Sequence, residues 1–362
     1  MGSYYWCRYY LVEKPRSLKR PVVHTGTAQP TGLWCVCAIN LVRGKTPPKA
    51  VSPNLLAFFD CLQRAGYNLI VVHNGDCPSQ LINAMLPFCH SLLIRGRGSF
   101  DVGGYKVAVP YIAQLAPADE IKQVIFCNDS YFVKPSSFTV LLEKFKAMPD
   151  RYIGVVETFP WYHVGSWFYA IPGSVFNAEY FKTHWRRYRP TSNRRREIKV
   201  GEERLSQLLL KNGVFPHVWY KAESAIDRLM AMEQSELFEA LAMYFCQGHL
   251  SGIHKDTLAR YARIDERIIY SEIKKEIMAR AVNLGAMVFW NLFLLKYDDI
   301  PFLKKDMVFK KACNILQIEA IIGHWEGEDA EYLEEILTYY KLRGDVRYSP
   351  FLTKLLYVSG YV

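Results

Sequence analysis

Three short segments carry residue types that bind or transfer phosphorylated ligands. The first is a basic, glycine-rich stretch in which Arg95-Gly96-Arg97-Gly98 precedes Asp101-Val102-Gly103-Gly104-Tyr105-Lys106. Glycines permit close backbone approach, amides at a helix start bind anions, and the cations add charge-assisted hydrogen bonds. The spacing is not that of a P-loop. Taken alone, the stretch is more typical of a basic surface turn between a strand and a helix.

The second segment is Asn128-Asp129-Ser130, which directly follows the apolar run Val124-Ile125-Phe126-Cys127. A carboxylate at the end of a buried strand can bind a divalent cation or a ribose hydroxyl. An Asx-type turn that closes the strand explains the same residues equally well. Both interpretations stay open at this point.

The third segment is Gly201-Glu202-Glu203, at the start of an amphipathic helix that the pattern predicts over residues 201–212. Acidic residues in a first turn ordinarily match the helix dipole, and this segment alone favours that interpretation. A carboxylate here could instead be a general base that deprotonates an attacking hydroxyl.

An aromatic segment, residues 161–167, contains His163 followed by Gly165, Ser166 and Trp167. Aromatic rings with a polar edge suit sugar faces, although Trp and Tyr at strand spacing are more often core residues. Because Gly165 and Ser166 leave room beside His163, we expect this histidine to contact a sugar or an acceptor.

Alternating strands and helices must position these segments. Apolar runs predict strands at residues 33–42, 67–72, 91–94, 123–127, 152–157, 165–171 and 214–220. Helices are predicted at residues 54–65 with Asn54 as N-cap, 79–89, 104–115, 175–188 with Ser174 as cap, and 201–212. This order indicates a largely parallel sheet with right-handed crossovers, and the strand at 165–171 is expected to be antiparallel at its edge. The ligand site then lies at the carboxyl ends of the strands.

The composition is that of a folded globular protein, with 362 residues of which 50% are hydrophobic and 14% aromatic. No apolar run reaches the roughly 18–20 residues of a membrane span, and we expect no secretory signal in the first 20 residues. The nine cysteines are scattered without zinc-ligand spacing, which favours reduced thiols in a cytosolic core. A net charge of +10 favours an anionic partner.

Much of that charge lies in one short stretch of the chain. Its basic residues are Arg186, Arg187, Arg189, Arg194, Arg195, Arg196 and Lys199. A solvated loop is the commonest explanation of such a run, but its density favours an anionic membrane surface or a lipid-diphosphate acceptor. Each basic residue near such a surface contributes about 1 kcal/mol. Nucleic-acid binding is the rival hypothesis, and no recognised motif supports it, so we expect no nucleic-acid partner.

Taken together and in this order, the segments resemble a GT-A nucleotide-sugar glycosyltransferase. The chain is most similar to the rhamnan synthesis protein F family of bacterial polysaccharide and O-antigen assembly. That family carries an Arg-Asn-x-Gly-x-Asp-x-Gly-like run where this chain has RGRGSFDVGGYK. The other matching pieces are FCNDSYF, HVGSWFYAI, GEERLSQLLLKNG and IPFLKKDMVFKKA, so the resemblance spans residues 33–312.

The resemblance implies an α/β fold with a GT-A-like (Rossmann-like) mixed sheet flanked by helices and a helical C-terminal extension. We expect an N-terminal arm over residues 1–31, a nucleotide-sugar-binding catalytic domain over 32–221, and the helical region over 222–362. Within the last region, helices are predicted at residues 222–245, 255–284, 287–297, 304–316 and 330–342.

The resemblance also assigns roles to residues. Asp129 is expected near the sugar diphosphate with Mg²⁺ or Mn²⁺, although Asn128 stands where the first acid belongs, which leaves metal dependence open. Glu202 best matches the base of inverting relatives, with Glu203 adjacent. The expected donor-binding residues are Asn40, Asn74, Arg95, Arg97, Asp101, Gly103, Gly104, Tyr105, Lys106, Asn128 and Ser130. The expected acceptor-binding residues are His163, Ser166 and Trp167.

The sequence therefore predicts a glycosyltransferase that moves a sugar from a nucleoside diphosphate to a glycan or lipid-linked acceptor in bacterial surface polysaccharide synthesis. The expected location is cytoplasmic, peripheral on the inner face of the plasma membrane. A non-catalytic glycan- or nucleotide-binding module of an assembly complex is the alternative, and Asn128 in place of the first acid is its main support.

Overall fold

A computed structural model of the chain describes residues 22–25, 31–41, 48–96, 99–158, 161–233, 235–237, 240, 291–308, 313 and 315–344. Arg97, the predicted helix at residues 255–284 and the C-terminal tail lie outside these residues.

A nine-stranded mixed sheet forms the centre of the protein, and two further strands form a small antiparallel sheet beside it. The strands are β1 (Val22–Thr25), β2 (Leu33–Ile39), β3 (Asn68–Asn74), β4 (Ser91–Arg95), β5 (Gln123–Asn128), β6 (Tyr131–Val133), β7 (Tyr152–Thr158), β8 (His163–Val164), β9 (Phe168–Pro172), β10 (Pro216–Tyr220) and β11 (Phe302–Lys304). The large sheet has the order β1-β4-β3-β2-β5-β9-β7-β10, with β8 paired to β7, while β6 pairs with β11.

The helices are α1 (Pro53–Arg64), α2 (Ser79–Met85), α3 (Asp101–Leu115), α4 (Pro135–Lys146), α5 (Gly173–Asn177), α6 (Glu179–Arg187), α7 (Arg194–Glu197), α8 (Arg204–Lys211), α9 (Ala222–Ala231), α10 (Asn291–Tyr297), α11 (Ile315–Ile322) and α12 (Leu333–Gly344). A π-helix, Ile198–Glu203, joins α7 to α8. Short 3-10 turns lie at Leu86–Phe88 and Gly327–Tyr332. The fold is α/β, with helices flanking a mixed sheet, and it is compatible with a Rossmann-like arrangement.

Strand β2 shows why the centre of the sheet is apolar throughout. Cys35 and Cys37 face the core that includes Phe58 of α1, whereas Trp34 and Val36 face the core on the side of α3. Successive side chains of a strand alternate between faces, so covering both faces removes the polar positions. The continuous apolar runs are therefore the signature of a doubly covered sheet.

The strand order creates a switch point between β2 and β5. Parallel connections run outward from β2 through β3 to β4, and the chain then returns to β5 on the other side of β2. Adjacent connections leave these two strands in opposite directions, which opens a crevice at their carboxyl ends. Ligands of open α/β sheets bind in this place.

The C-terminal region packs on the α1 and α4 side of the sheet. Strand β11 adds to β6 with Phe302 opposite Val133, and Leu229, Phe293 and Ile336 belong to the same buried core as Phe58 of α1. At the other end of the chain, β1 pairs antiparallel with β4. The division into arm, catalytic domain and helical region stays a prediction.

Several predicted element boundaries are wrong. Ser52, rather than Asn54, caps α1 and accepts from the Leu55 amide. Strand β9 is antiparallel as predicted, but it lies between β5 and β7 instead of at the edge, and all five of its residues are buried. The helix expected at residues 175–188 begins at Gly173 and breaks at Ala178, so Ser174 lies inside α5 and does not cap it.

Two more boundary errors affect the site. The helix predicted from residue 201 is instead a π-helix that runs into α8, so Glu202 and Glu203 do not lie in a first α-helical turn. The stretch predicted as helix from residue 304 is the end of β11 followed by a turn, and α11 begins at Ile315. Pairing of β11 with β6 outweighs the helical periodicity there.

The described cysteines, Cys35, Cys37, Cys61, Cys77, Cys89, Cys127 and Cys313, are free thiols. This agrees with the predicted reduced state for that part of the chain. Among the residues that the structure describes, no helix has both the length and the apolar composition needed to cross a bilayer.

Candidate functional site

Asn128 is the hub of the polar groups at the carboxyl end of β5. Its Oδ1 accepts hydrogen bonds from the Ser130 amide at 3.0 Å and from Ser130 Oγ at 2.5 Å. Its Nδ2 donates to Oδ2 of Asp101 at 2.6 Å. The bond to the Ser130 amide is the predicted Asx-type turn, and the bond to Asp101 connects that turn to the first turn of α3. The Asx-turn interpretation of the triplet is therefore confirmed, whereas binding of a cation or a ribose hydroxyl by Asp129 stays a prediction.

Asp129 lies at the switch point itself and is buried. Its amide donates to the Ala38 carbonyl at 3.3 Å, and its Oδ2 accepts from the Asn40 amide at 3.5 Å. The adjacent Leu41 amide donates to Nε2 of His73 at 3.3 Å, which holds the loop after β2 against the end of β3. The predicted residues Asn40 and Asp129 are thus brought together at the ends of neighbouring strands.

Arg95 ends β4 and is buried, with 5% of its surface exposed. Its guanidinium lies over the first turn of α3, where a Cβ on Gly103 would come within 2.3 Å of Nη1. Among the residues that the structure describes, neither Nη1 nor Nη2 has a hydrogen-bond partner, and the same holds for Oδ1 of neighbouring Asn74. A buried charge without such partners is costly, so this group favours an anionic ligand.

Gly104 serves the packing of α3 on the sheet. A Cβ at Gly104 would lie 3.0 Å from that of Ala38 in β2. Helix α3 begins at Asp101, earlier than predicted, so Gly103 lies with Gly104 in its first turn rather than in the preceding loop. Close approach to the sheet, rather than contact with a ligand, accounts for Gly104.

Glu197 is a site residue that the sequence reasoning missed. It lies in α7, is buried, and accepts a 3.2 Å hydrogen bond from the Val102 amide at the start of α3. Burial raises the pKa of Glu197 well above its ordinary value; the carboxylates of Asp101 and Glu202 raise it further, and Arg95 opposes them. The Val102 amide at the start of α3 is therefore bound by a side chain of the protein. A single acid within a basic run was the only signal.

Glu202 lies in the π-helix and faces His163 of β8. The distance from Oε2 of Glu202 to Nε2 of His163 is 3.8 Å, and Nδ1 of the histidine lies 2.6 Å from the Trp161 carbonyl. The carbonyl can only accept, so Nδ1 carries a proton and Nε2 is directed toward the carboxylate. Gly201 allows the π-helix to pack closely on α3, because a Cβ there would lie 2.6 Å from Cγ1 of Val102. Glu203 follows in the same π-helix, partly exposed.

Three predicted ligand-binding residues have structural partners. Tyr105 is buried among Phe126, Tyr169 and Trp185, and its hydroxyl donates to the Ser166 carbonyl at 3.0 Å. Lys106 donates to the carbonyls of Trp185 and Arg186 at the end of α6. Trp167 packs against aromatic core residues. These contacts place the Tyr105 and Trp167 rings in the core and use the Lys106 ammonium as a helix C-cap.

One exposed aromatic side chain lies next to His163. Trp161 has 74% of its surface exposed, while its carbonyl accepts from the histidine ring. A large exposed ring beside a polar group suits stacking on a sugar. The prediction for residues 161–167 assigned acceptor binding to Trp167, whereas Trp161 is the exposed tryptophan of this segment.

Lys304 and Lys305 reach the triplet from the C-terminal region. Nζ of Lys304 donates to Ser130 Oγ at 2.6 Å, and Nζ of Lys305 donates to the Asp129 carbonyl at 3.0 Å. Both residues have 8% of their surface exposed. Their segment, IPFLKKDMVFKKA, carries part of the family resemblance, but no sequence pattern predicts its position beside residues 128–130.

The basic residues of the 186–199 stretch all lie at the surface, at the end of α6, in the following loop, in α7 and in the π-helix. Beneath them, Thr191, Asn193 and Glu197 are buried. Asn193 caps α7 by accepting from the Arg196 amide at 3.0 Å. The basic surface is therefore the outer side of the element whose inner side carries Glu197.

No protein-family model matches the chain, and no curated protein matches it either. The fold and the chemistry of the site are therefore the basis for inferring a function. That chemistry combines buried cations, a carboxylate at the switch point, and a separate carboxylate next to a histidine.

Proposed function

We propose that the chain is a glycosyltransferase that moves a sugar from a nucleoside-diphosphate donor to a glycan or lipid-linked acceptor. The observation that carries the proposal is the convergence of Arg95, Asp101 and the 128–130 triplet at the switch point of the sheet. The mixed sheet, in which β9 lies antiparallel between β5 and β7, is compatible with the GT-A architecture that the sequence resembles. Proteins of this architecture take nucleotide sugars.

The donor half of the proposal rests on charge. A diphosphate brings negative charge to a buried place, and Arg95 provides a planar guanidinium that can donate two parallel hydrogen bonds to it. The Asp129 carboxylate then provides acceptors for sugar or ribose hydroxyls. The position of Arg95 is fixed by β4, whose backbone pairs with Asn74 of β3.

The transfer step assigns the base role to Glu202. The acceptor hydroxyl loses its proton to the Glu202 carboxylate as its oxygen forms a bond to the anomeric carbon. The bond from that carbon to the diphosphate oxygen breaks, and its electron pair leaves with the diphosphate. His163 faces Glu202 across a distance of 3.8 Å, and its Nδ1 is held by the Trp161 carbonyl. Attack on the face opposite to the leaving group inverts the anomeric centre.

A divalent cation would find a limited ligand set here. Asp129 supplies one carboxylate, and within the described residues no group of three His, Cys, Asp or Glu side chains could hold a metal ion. Mg²⁺ or Mn²⁺ could therefore bind at Asp129 only together with phosphate oxygens of the donor. No step of the proposed mechanism depends on it.

The proposed acceptor side includes the exposed Trp161 ring and the basic surface of residues 186–199. Because α7 carries Glu197 inward and Arg194, Arg195 and Arg196 outward, an anionic lipid surface bound there would lie close to the site. A lipid-linked acceptor would then be presented from the inner face of the plasma membrane. We propose a peripheral cytoplasmic location in bacterial polysaccharide synthesis on this basis, together with the family resemblance.

A binding module without catalysis is the second candidate. Asn128, which is fully engaged by Asp101 and Ser130, occupies the position of an acid that metal-dependent enzymes use. Such a module would use the same donor site and would not need Glu202. Product formation separates the two functions.

The test is a panel of UDP-, GDP- and dTDP-sugars with lipid-linked and glycan acceptors, followed by release of the nucleoside diphosphate and by mass spectrometry of the acceptor. Transfer that is lost in Glu202→Gln supports the enzyme. Binding of a nucleotide sugar without any product supports the module. Absence of both binding and turnover across the panel contradicts the donor site itself.

A further inference from the structure

We infer that Lys304 and Lys305 are phosphate-binding residues through which the C-terminal region completes the donor site, so that nucleoside-diphosphate binding does not require a divalent cation. The inference rests on the proposed function and names the residues that neutralise the diphosphate.

The first observation is how firmly Lys304 is held. Its backbone pairs with Tyr131 in the β6–β11 ladder, and its amide donates to Oδ1 of Asn291 at 2.8 Å. Its carbonyl accepts from the Tyr340 hydroxyl at 2.6 Å. Several elements of the C-terminal region thus fix one lysine against the end of β5, which is the pre-organisation that a binding site needs.

The second observation is a continuous hydrogen-bonded chain. Lys304 Nζ donates to Ser130 Oγ, Ser130 Oγ donates to Asn128 Oδ1, and Asn128 Nδ2 donates to Asp101 Oδ2. This chain joins the C-terminal region to the first turn of α3, where Arg95 lies. The cation of Lys304 is therefore part of the same polar network as the proposed donor groups.

The third observation concerns Lys305. Its Nζ reaches the Asp129 carbonyl and lies 4.6 Å from the centre of the Phe132 ring. The Lys305 amide donates to the Ser130 carbonyl at 3.0 Å. Two ammonium groups thus approach consecutive residues of the triplet. The two lysine residues that carry them are each more than nine-tenths buried. A buried ammonium attracts phosphate strongly because little solvent screens it.

A purely structural clamp between β6 and the C-terminal region is the competing explanation. Lys134 provides a matched control, since it joins the end of β6 to Asp299 through an ion pair of 2.9 Å and does not contact the triplet. A clamp role predicts that loss of Lys134 and loss of Lys304 have similar consequences. A phosphate-binding role predicts that only the second affects ligand binding.

The experiment is calorimetric titration of UDP, GDP, dTDP and the three parent nucleosides into the full chain in EDTA, and then in Mg²⁺ or Mn²⁺. We expect the best nucleoside diphosphate to bind in EDTA. Lys304→Gln, which keeps a donor for Ser130, and Lys305→Gln are each expected to weaken it about tenfold, or about 1.4 kcal/mol. Affinity for the nucleoside should change less than twofold, and Lys134→Gln should match wild type.

The outcomes separate this inference from the proposed function. Diphosphate binding that appears only with Mg²⁺ or Mn²⁺, or that the Lys304→Gln and Lys305→Gln variants retain in full, overturns the inference and leaves the donor site standing. Absence of diphosphate binding with or without metal contradicts the proposed function as well. If one glutamine variant does not fold, the other decides, and full metal-free binding of the diphosphate by that variant overturns the inference. Lys304→Arg keeps the positive charge and is expected to fold and to retain metal-free binding.

Discussion

Asn128 and Asp101 are joined by a 2.6 Å hydrogen bond across a separation of 27 residues in the chain. The bond connects the carboxyl end of β5 to the first turn of α3. Ser130 hydrogen-bonds to Asn128, and the Arg95 guanidinium lies over that turn beside Gly103. Two segments that are separate in the sequence thereby become one polar surface at the switch point.

Breaking this bond should destabilise the protein and the site together. In Asp101→Ala the buried Asn128 amide loses an acceptor, which costs about 1–3 kcal/mol of unfolding free energy. We expect weaker nucleoside-diphosphate binding in the same variant, since Asn128 is no longer oriented. Urea unfolding and titration calorimetry measure the two effects. Glu179→Ala, at an exposed ion pair with Arg186, is the control and should leave the unfolding free energy nearly unchanged. Equal losses in both variants would contradict the structural role of the bond.

Glu202 and Glu203 should differ sharply in catalysis. A general base contributes about 10²–10⁴-fold, so Glu202→Gln should lower kcat by at least about 100-fold with little change in donor affinity. Glu203→Gln should retain most activity, since Glu202 is the residue that faces His163. Steady-state kinetics on the best donor and acceptor pair tests this. A larger loss in Glu203→Gln would move the base role to that residue.

Glu197 should make stability fall as the pH rises. Its folded-state pKa is raised by burial, so the unfolded chain releases this proton first, from about pH 4.5 upward. The contribution of Glu197 to the free energy of unfolding is fully present below that pH. It decreases as the pH rises toward the higher folded-state pKa, by up to about 1.4 kcal/mol per pH unit. Glu197→Gln has no such proton, so relative to wild type it should gain stability between pH 5 and pH 8.

Urea unfolding at pH 5, 6, 7 and 8 provides the comparison. Glu179→Gln is the control, because hydrogen bonds from Thr183 and Arg186 lower the pKa of Glu179 and it stays ionised throughout this range. Its unfolding curves should run parallel to those of wild type. A Glu197→Gln profile that also runs parallel to wild type would show that Glu197 ionises normally in the folded protein.

The basic surface should bind anionic vesicles. Reversing the charge of Arg194 and Arg195 should weaken binding to phosphatidylglycerol vesicles by at least tenfold, because each basic residue contributes about 1 kcal/mol near such a membrane. Binding should also weaken from low to high salt. Lys49→Glu and Lys211→Glu, exposed elsewhere, are the matched controls. Vesicle co-sedimentation that is identical for both pairs would exclude this surface as the membrane contact.

The sequence predicted the sheet and the ends of its strands well, because doubly buried strands such as β2 and β5 must be continuously apolar. Polar residues that end such strands have to meet at one edge, which is why Asn40, Asp129 and Asn128 were found together. Contacts within the core were harder to foresee, since Tyr105 and Trp167 have side chains that suit either a sugar or a buried cluster.

Residues that reach the site from distant elements could not be predicted. Lys304 lies 174 positions from Ser130 in the sequence, and the two residues meet because β11 pairs with β6. The helical periodicity of residues 304–316 predicted a helix instead of this pairing. The π-helix around Glu202 also has no recognisable signature over six residues. Glu197 was passed over because its neighbours are solvated cations, whereas the fold turns that one side chain inward.

The affinity of the best nucleoside diphosphate for wild type and for Arg95→Met tests the central claim most directly. Arg95 is buried, and its Nη atoms have no hydrogen-bond partner among the described residues, so its replacement should not lower thermal stability. The donor-site account predicts that Arg95→Met folds with an unchanged or higher Tm and loses at least tenfold in affinity. Wild-type affinity in a folded Arg95→Met variant would contradict it.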